Sequence, residues 1–203
     1  MDLRFYSEQD YAAFKKEIKF RLENRCKHQA ENHGSTPASV LMLIMNKNNE
    51  AYVFLTQRTH KVKTHKGQVS FPGGAREKDD KSILDTALRE TFEEAGINPA
   101  DVEILGEFDE MISISDFHVH TFIGSIKYPY EYKENKDEIE SCFEAPLSLF
   151  YNKEYYREED YYFDGETRKV FYYSYNGYEI WGMTALILTN FASVILKNEH
   201  GYR

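Results

Sequence analysis

The stretch "GGAREKDDKSILDTALRETFEEAGI", residues 73–97, decides how the rest of the chain is read. A Gly-Gly turn leads into a polar segment, after which apolar residues recur at helical spacing, predicting a helix from about Ser82 to Ala95 with Gly96 as its stop. At about 100° per residue, Glu90, Glu93 and Glu94 fall within roughly a 100° arc of one helical face. Like charges at these spacings cost about 0.2–0.5 kcal/mol per pair unless something neutralises them. No lysine is interleaved between Arg89 and Ile97, whereas Leu84, Leu88, Phe92 and Ala95 form a separate stripe that is expected to bury. The residues alone leave two readings. One is a solvated acidic patch; the other is a site for a hard divalent cation such as Mg²⁺, which prefers oxygen ligands and shares them with substrate phosphates.

Charge is distributed unevenly around this helix. The 203-residue chain carries a net charge of −9, which argues against a general nucleic-acid binder. Yet residues 51–76 contain no acid and supply Arg58, Lys61, Lys63, Lys66 and Arg76. A basic patch beside an acidic cluster is the arrangement expected where a polyanion meets a metal ion.

A hydrophobic content of 41% suffices for one substantial core. Cys26 and Cys142 form no CxxC pattern, so neither a disulfide framework nor a structural zinc site is expected, and a cytoplasmic location is the simplest reading. The N-terminal "MDLRFYSEQDY" carries acids where a secretory signal needs an apolar core. The apolar run at residues 183–196 is shorter than a bilayer span and includes Thr184, Thr189 and Asn190, so it is expected to be a buried helix, with no membrane insertion.

Residues 1–37 divide into a helix, started by the capping pair Ser7 and Asp10 and carrying Tyr11, Phe14, Ile18 and Leu22, and a polar connector. Residues 38–203 alternate strands and helices. "ASVLMLIM" and "AYVFLTQR" predict a hairpin, "VSFPGG" a short strand, "VEILGEF" and "FHVHTFIGSI" further strands, and "RKVFYYSY" and "YEIW" a second hairpin around Asn176-Gly177. The fold class expected is an α/β sandwich. His118 and His120 alternate on a predicted strand and share a side, which could mean a metal pair, yet two histidines on one strand face are more often simply packed or solvated; they are left out of the site. Tyr161, Tyr162, Tyr172 and Tyr173 could stack on a base or pack across a hairpin.

The opening stretch resembles the Nudix box, through Arg89, Glu90, Glu93, Glu94, Gly96 and Ile97. Two departures stand out: the interval from Gly74 to Arg89 is one residue longer than in the general box, and Lys81 stands where that box has Glu, leaving Asp80 or Glu77 as the substitute acid. Upstream, "LTQRTHKVKTHKGQVSFPGG" resembles the motif of the coenzyme A pyrophosphatase branch through Leu55, Thr56, Arg58, Gly67, Phe71, Pro72, Gly73 and Gly74. Lys63 stands where that branch has Arg, and Thr59 where it has Ser or Ala. "DEIESCFEAPL" and "IWGMTA" are similar to the same branch.

The resemblance implies a Nudix α/β/α sandwich with a mixed sheet and the box as loop-helix-loop. It implies a pyrophosphohydrolase that uses Mg²⁺ or Mn²⁺ and cleaves coenzyme A or a derivative to 3′,5′-ADP and 4′-phosphopantetheine. Glu90, Glu93, Glu94 and the Gly74 carbonyl are assigned to metal, and Arg89 to orienting a neighbouring carboxylate. Arg58, Lys63 and Gly73 are assigned to substrate. Glu138 is assigned to completing the site or acting as base, against the competing reading of a solvated loop acid beside Asp137 and Glu140. Hydrolysis of ADP-ribose or NADH, and a non-catalytic nucleotide sensor, are the alternatives.

Overall fold

A computed structural model describes residues 1–60, 66–163, 166–197 and 199 of the chain. Helix α1 (Glu8–Glu23) starts where Ser7 accepts a hydrogen bond from the Asp10 amide and buries Tyr11, Phe14, Ile18 and Leu22. Strands β1 (Thr36–Lys47) and β2 (Glu50–Arg58) form the first hairpin. Asn48 (φ 53°) and Asn49 (φ 65°) make its turn, in the left-handed conformation that matches strand twist and that Asn tolerates. Strands β3 (Val69–Ser70) and β4 (Gly73–Ala75) come from the glycine-rich segment, which contributes two short strands where one was expected. Helix α2 (Ile83–Ala95) follows, then β5 (Glu103–Glu107), β6 (Met111–Ile112), β7 (Phe117–Ser125) and β8 (Ile139–Pro146).

These strands form one mixed sheet, in the order β3-β2-β1-β7-β5, with β8 on β2, β4 on β1 and β6 on β7. Among the described residues only β1 and β7 pair in parallel, at the centre, where β1 is buried on both faces. Side-chain alternation along it feeds two cores. Met42 and Ile44 join Val53, Leu55 and Ile123 on one side, with α1; Leu41, Leu43 and Met45 join Phe54 and Phe122 on the other, with Ala87 and Ala95 of α2. The helices therefore cover opposite faces of the sheet, giving the α/β/α layering expected.

The C-terminal part comprises α3 (Leu147–Tyr151), a second, antiparallel sheet of β9 (Arg157–Phe163), β10 (Glu166–Tyr175) and β11 (Tyr178–Trp181), and α4 (Gly182–Phe191), which runs on as a π-helical segment, Ala192–Lys197. Strand β9 was not expected, because its Glu, Asp and Tyr content hides any apolar alternation. Tyr173 is fully buried and its hydroxyl bonds Thr189 Oγ1 at 2.8 Å, so it is a packing residue, whereas Tyr161 and Tyr162 are exposed. No helix among the described residues is long and apolar enough to cross a membrane.

Candidate active site

Helix α2 is fixed at both ends by the residues that its sequence led us to expect. Ser82 Oγ accepts from the Asp85 amide at 3.1 Å, and Gly96, at φ 69°, closes the last turn through its amide to the Phe92 carbonyl at 2.8 Å. Its buried face differs from the expected stripe. Phe92 is exposed and Leu84 and Leu88 are half-buried, while Thr86, Ala87, Thr91, Glu94 and Ala95 are the residues taken inside. Small side chains bring the helix close to the sheet, and Glu94 is carried in with them.

Arg89 organises the approach to this helix. Its Nε lies 2.9 Å from Asp80 Oδ1, its Nη2 3.1 Å from Asp80 Oδ2, and its Nη1 2.9 Å from both Glu90 Oε1 and Glu93 Oε2. Asp80 also accepts from Thr86 Oγ1 at 2.9 Å and the Glu77 amide at 2.8 Å. Of the two acids left open by the sequence, Asp80 is thus the one that holds Arg89. The Arg89 guanidinium, with these other donors overriding burial, keeps the Asp80 carboxyl well below the usual carboxylate range.

Glu94 sits in the opposite electrostatic state. It is 2% exposed, Arg58 Nη1 approaches its Oε1 at 3.3 Å, and its Oε2 is buried with no hydrogen-bond partner. Burial pushes its pKa up to about 8, against the pull of Arg58 and the Gly73 amide and with added repulsion from Glu90 and Glu138. Burial likewise raises Glu90, despite Arg89.

Glu138 reaches the same place through strand register. Strand β8 runs antiparallel to β2 with Arg58 opposite Ile139, and the Thr59 amide donates to the Glu138 carbonyl at 2.8 Å. The preceding loop is tied to the end of α2 by amide-to-carbonyl bonds, Lys133 to Ala95 at 2.8 Å and Asn135 to Glu94 at 3.0 Å.

The structure therefore brings Arg58, Gly73, Gly74, Glu90, Glu94 and Glu138 onto one groove of about 1780 Å³. Glu93 stands outside that lining, half-exposed and turned to Arg89. Lys63 lies outside the described residues. The arrangement fits a divalent ion: a buried carboxylate oxygen lacks a partner, and a Cβ at Gly74 would stand 2.4 Å from Glu90 Oε1. Glu90, Glu94 and the Gly74 carbonyl are the groups that would hold it, with Glu93 brought in from the margin. Gly74→Ala is accordingly expected to push Glu90 aside and cut turnover by about 10²-fold with the thermal melt nearly unchanged, since displacements near 1 Å have that effect on rate. Unaltered kcat in the alanine variant would remove the close approach from the account.

The family model described as NUDIX domain matches residues 35–169. The chain belongs to the Nudix family. Curated relatives include an uncharacterized Nudix hydrolase NudL of Citrobacter koseri, 39% identical over 140 residues, covering 69% of this chain and 73% of that protein. A NudL of Escherichia coli is 36% identical over 155 residues, covering 76% and 80%. The crystal structure of a MutT/nudix family protein from Enterococcus faecalis superposes with a TM-score of 0.50 at 16% identity, over 98% of this chain and 78% of that one, a likeness of fold alone. The protein is a Nudix hydrolase, a class that uses divalent metal ions, typically Mg²⁺ or Mn²⁺, and acts on small nucleoside diphosphate compounds.

Proposed function

We propose that this hydrolase cleaves the diphosphate of coenzyme A or a close derivative, releasing 3′,5′-ADP and 4′-phosphopantetheine. The observation that carries this reading is the meeting of two motifs. Arg58, Phe71, Gly73 and Gly74 of the upstream motif line the same groove as Glu90 and Glu94 of the box.

When bound, Mg²⁺ or Mn²⁺ supplies charge neutralisation to the diphosphate and acidity to water. The chain's own residues do the positioning. Arg89, anchored by Asp80, holds Glu90 and Glu93 in place. Glu138, half-buried on the groove, is assigned the proton of the attacking water in this reading. Gly73 lets β4 lie against β1 at the rim of the groove, since a Cβ there would stand 2.3 Å from the Ser39 carbonyl.

A panel of coenzyme A, 3′-dephospho-coenzyme A, ADP-ribose and NADH with Mg²⁺ or Mn²⁺, read by product mass spectrometry, tests the reading. Coenzyme A is expected to give the two named products fastest. Preference for ADP-ribose or NADH with coenzyme A untouched would refute the substrate, and no turnover of any compound would favour a nucleotide sensor. Arg58→Ala, because Arg58 touches Glu94, is expected to lower kcat/KM for coenzyme A and its dephospho analogue alike, by about one to two decades. Lys63, assigned to substrate by the resemblance alone, gives a different expectation: Lys63→Ala lowers kcat/KM for coenzyme A more than for the 3′-dephospho analogue.

A further inference from the structure

We propose that His118, His120 and Glu110 form a second divalent-cation site, of the mixed nitrogen and oxygen type that takes Zn²⁺ or another late first-row ion, separate from the carboxylates of α2. Alternation along β7 puts the two imidazoles on one side, with ring centroids 4.6 Å apart. Pairing of β6 with β7, Ile112 opposite His118, then brings Glu110 against them. His118 Nε2 lies 2.9 Å from Glu110 Oε2, and His120 Nδ1 lies 3.7 Å from Glu110 Oε1 and 3.0 Å from Glu107 Oε1. One ligand atom from each of Glu110, His118 and His120 falls within 4.8 Å of the others. Bonds of about 2.0–2.2 Å in tetrahedral geometry place ligand atoms roughly 3.3 Å apart, so modest side-chain rotation closes the set and leaves a fourth position open.

The chemistry of the donors selects the ion. Two imidazoles with one or two carboxylates suit Zn²⁺, Co²⁺ or Ni²⁺ better than Mg²⁺, which the oxygen-only groups of α2 suit. A cation already marks the position. Lys27 Nζ, from the connector after α1, lies 2.7 Å from Glu110 Oε1 and 2.9 Å from Glu107 Oε1. That ammonium is the charge a metal would replace, and its side chain is accessible enough to swing out. Ser39 of β1 pairs with His120 on one side and Gly74 on the other, so the two sites lie two strand spacings, about 10 Å, apart along the sheet.

Titration of the full chain with Co²⁺ and Zn²⁺ tests the proposal without reference to hydrolysis. Four-coordinate Co²⁺ with nitrogen ligands absorbs strongly in the visible, whereas oxygen-only six-coordinate Co²⁺ does not. The strong band is expected in the parent and in Glu90→Gln, and its loss in His118→Ala and His120→Gln, with Zn²⁺ affinity falling roughly 100-fold in a chelator competition. Lys27→Met keeps every ligand and is expected to raise Zn²⁺ affinity about tenfold, by removing the competing charge. No strong band in the parent, a band that survives both histidine variants, or Zn²⁺ affinity unmoved by Lys27→Met would overturn the site. The lysine variant also decides the matter where a histidine variant does not fold.

Discussion

Glu94→Gln is expected to lower hydrolysis by about 10²-fold or more while leaving the melting temperature in EDTA unchanged or raised. The sign follows from the burial of this side chain. A carboxylate that is 2% exposed, with one oxygen lacking any hydrogen-bond partner, is held in the folded protein against its own desolvation. The amide of glutamine keeps the shape and removes the need either to bury a charge or to take up a proton there. Arg58 loses an ion partner at Nη1, but glutamine keeps a carbonyl oxygen for that N–H, so the cost is small although Nε stays buried without a partner. Addition of Mg²⁺ should then stabilise the parent more than the variant, by about 2.7 kcal/mol at a hundredfold excess over Kd, because only the parent keeps the full ligand set. Thermal melts with and without metal, beside initial rates, make the measurement. A variant that instead loses about 3–5 kcal/mol in EDTA, with activity falling only as folded protein disappears, would show that Glu94 serves as a structural ion pair.

The position of that charge was only partly legible in the sequence. Ser82 and Gly96 announced the ends of α2 because capping is a local interaction, and Glu90, Glu93 and Glu94 announced a face. Which face goes inward was not local. Periodicity gave weight to Leu84, Leu88 and Phe92 for their size, yet closeness to β1 requires small residues, and Ala87, Thr91 and Ala95 provide it. Glu138 illustrates a second limit. Its sequence neighbours Asp137 and Glu140 make it look like one more loop acid; only the pairing of β8 with β2 sets it beside Arg58, a residue 80 positions away. "DEIESCFEAP" does carry the alternation Ile139, Ser141, Phe143, Ala145 that identifies a strand, but nothing in that alternation names its partner. The His118 and His120 pair was visible as a period of two, while Glu107 joins it through a bulged β5–β7 pairing, Glu110 through the β6–β7 pairing and Lys27 through a connector, none of which periodicity reports.

Asp80 and Glu94 lead to opposite expectations for stability against pH in EDTA, and the two variants separate them. Asp80 has a folded pKa held below its unfolded 3.8, so its contribution is in place above about pH 4 and is lost as pH falls toward the folded value. Glu94 is raised from 4.5 to about 8, so the folded state binds its proton more tightly than the unfolded chain, and stability falls as pH rises between those values. Together they predict a stability maximum near the ordinary carboxylate range and a decline of a few kcal/mol, on the order of the Glu94 shift, toward pH 8. Glu94→Gln should flatten the decline on the alkaline side. Asp80→Asn should leave that side intact and lower stability by about 1.5–3 kcal/mol at neutral pH, because it removes a charged acceptor that grips Arg89 through both oxygens and leaves the guanidinium to Glu90 and Glu93. It should also reduce turnover in the fraction that remains folded, since Arg89 then no longer fixes Glu90 and Glu93. Urea melts of the three proteins across pH 3–9 make the comparison. A parent whose stability in EDTA keeps rising to pH 8, or an Asp80→Asn variant with normal kcat, would contradict the chain of contacts from Asp80 through Arg89 to the carboxylates of α2.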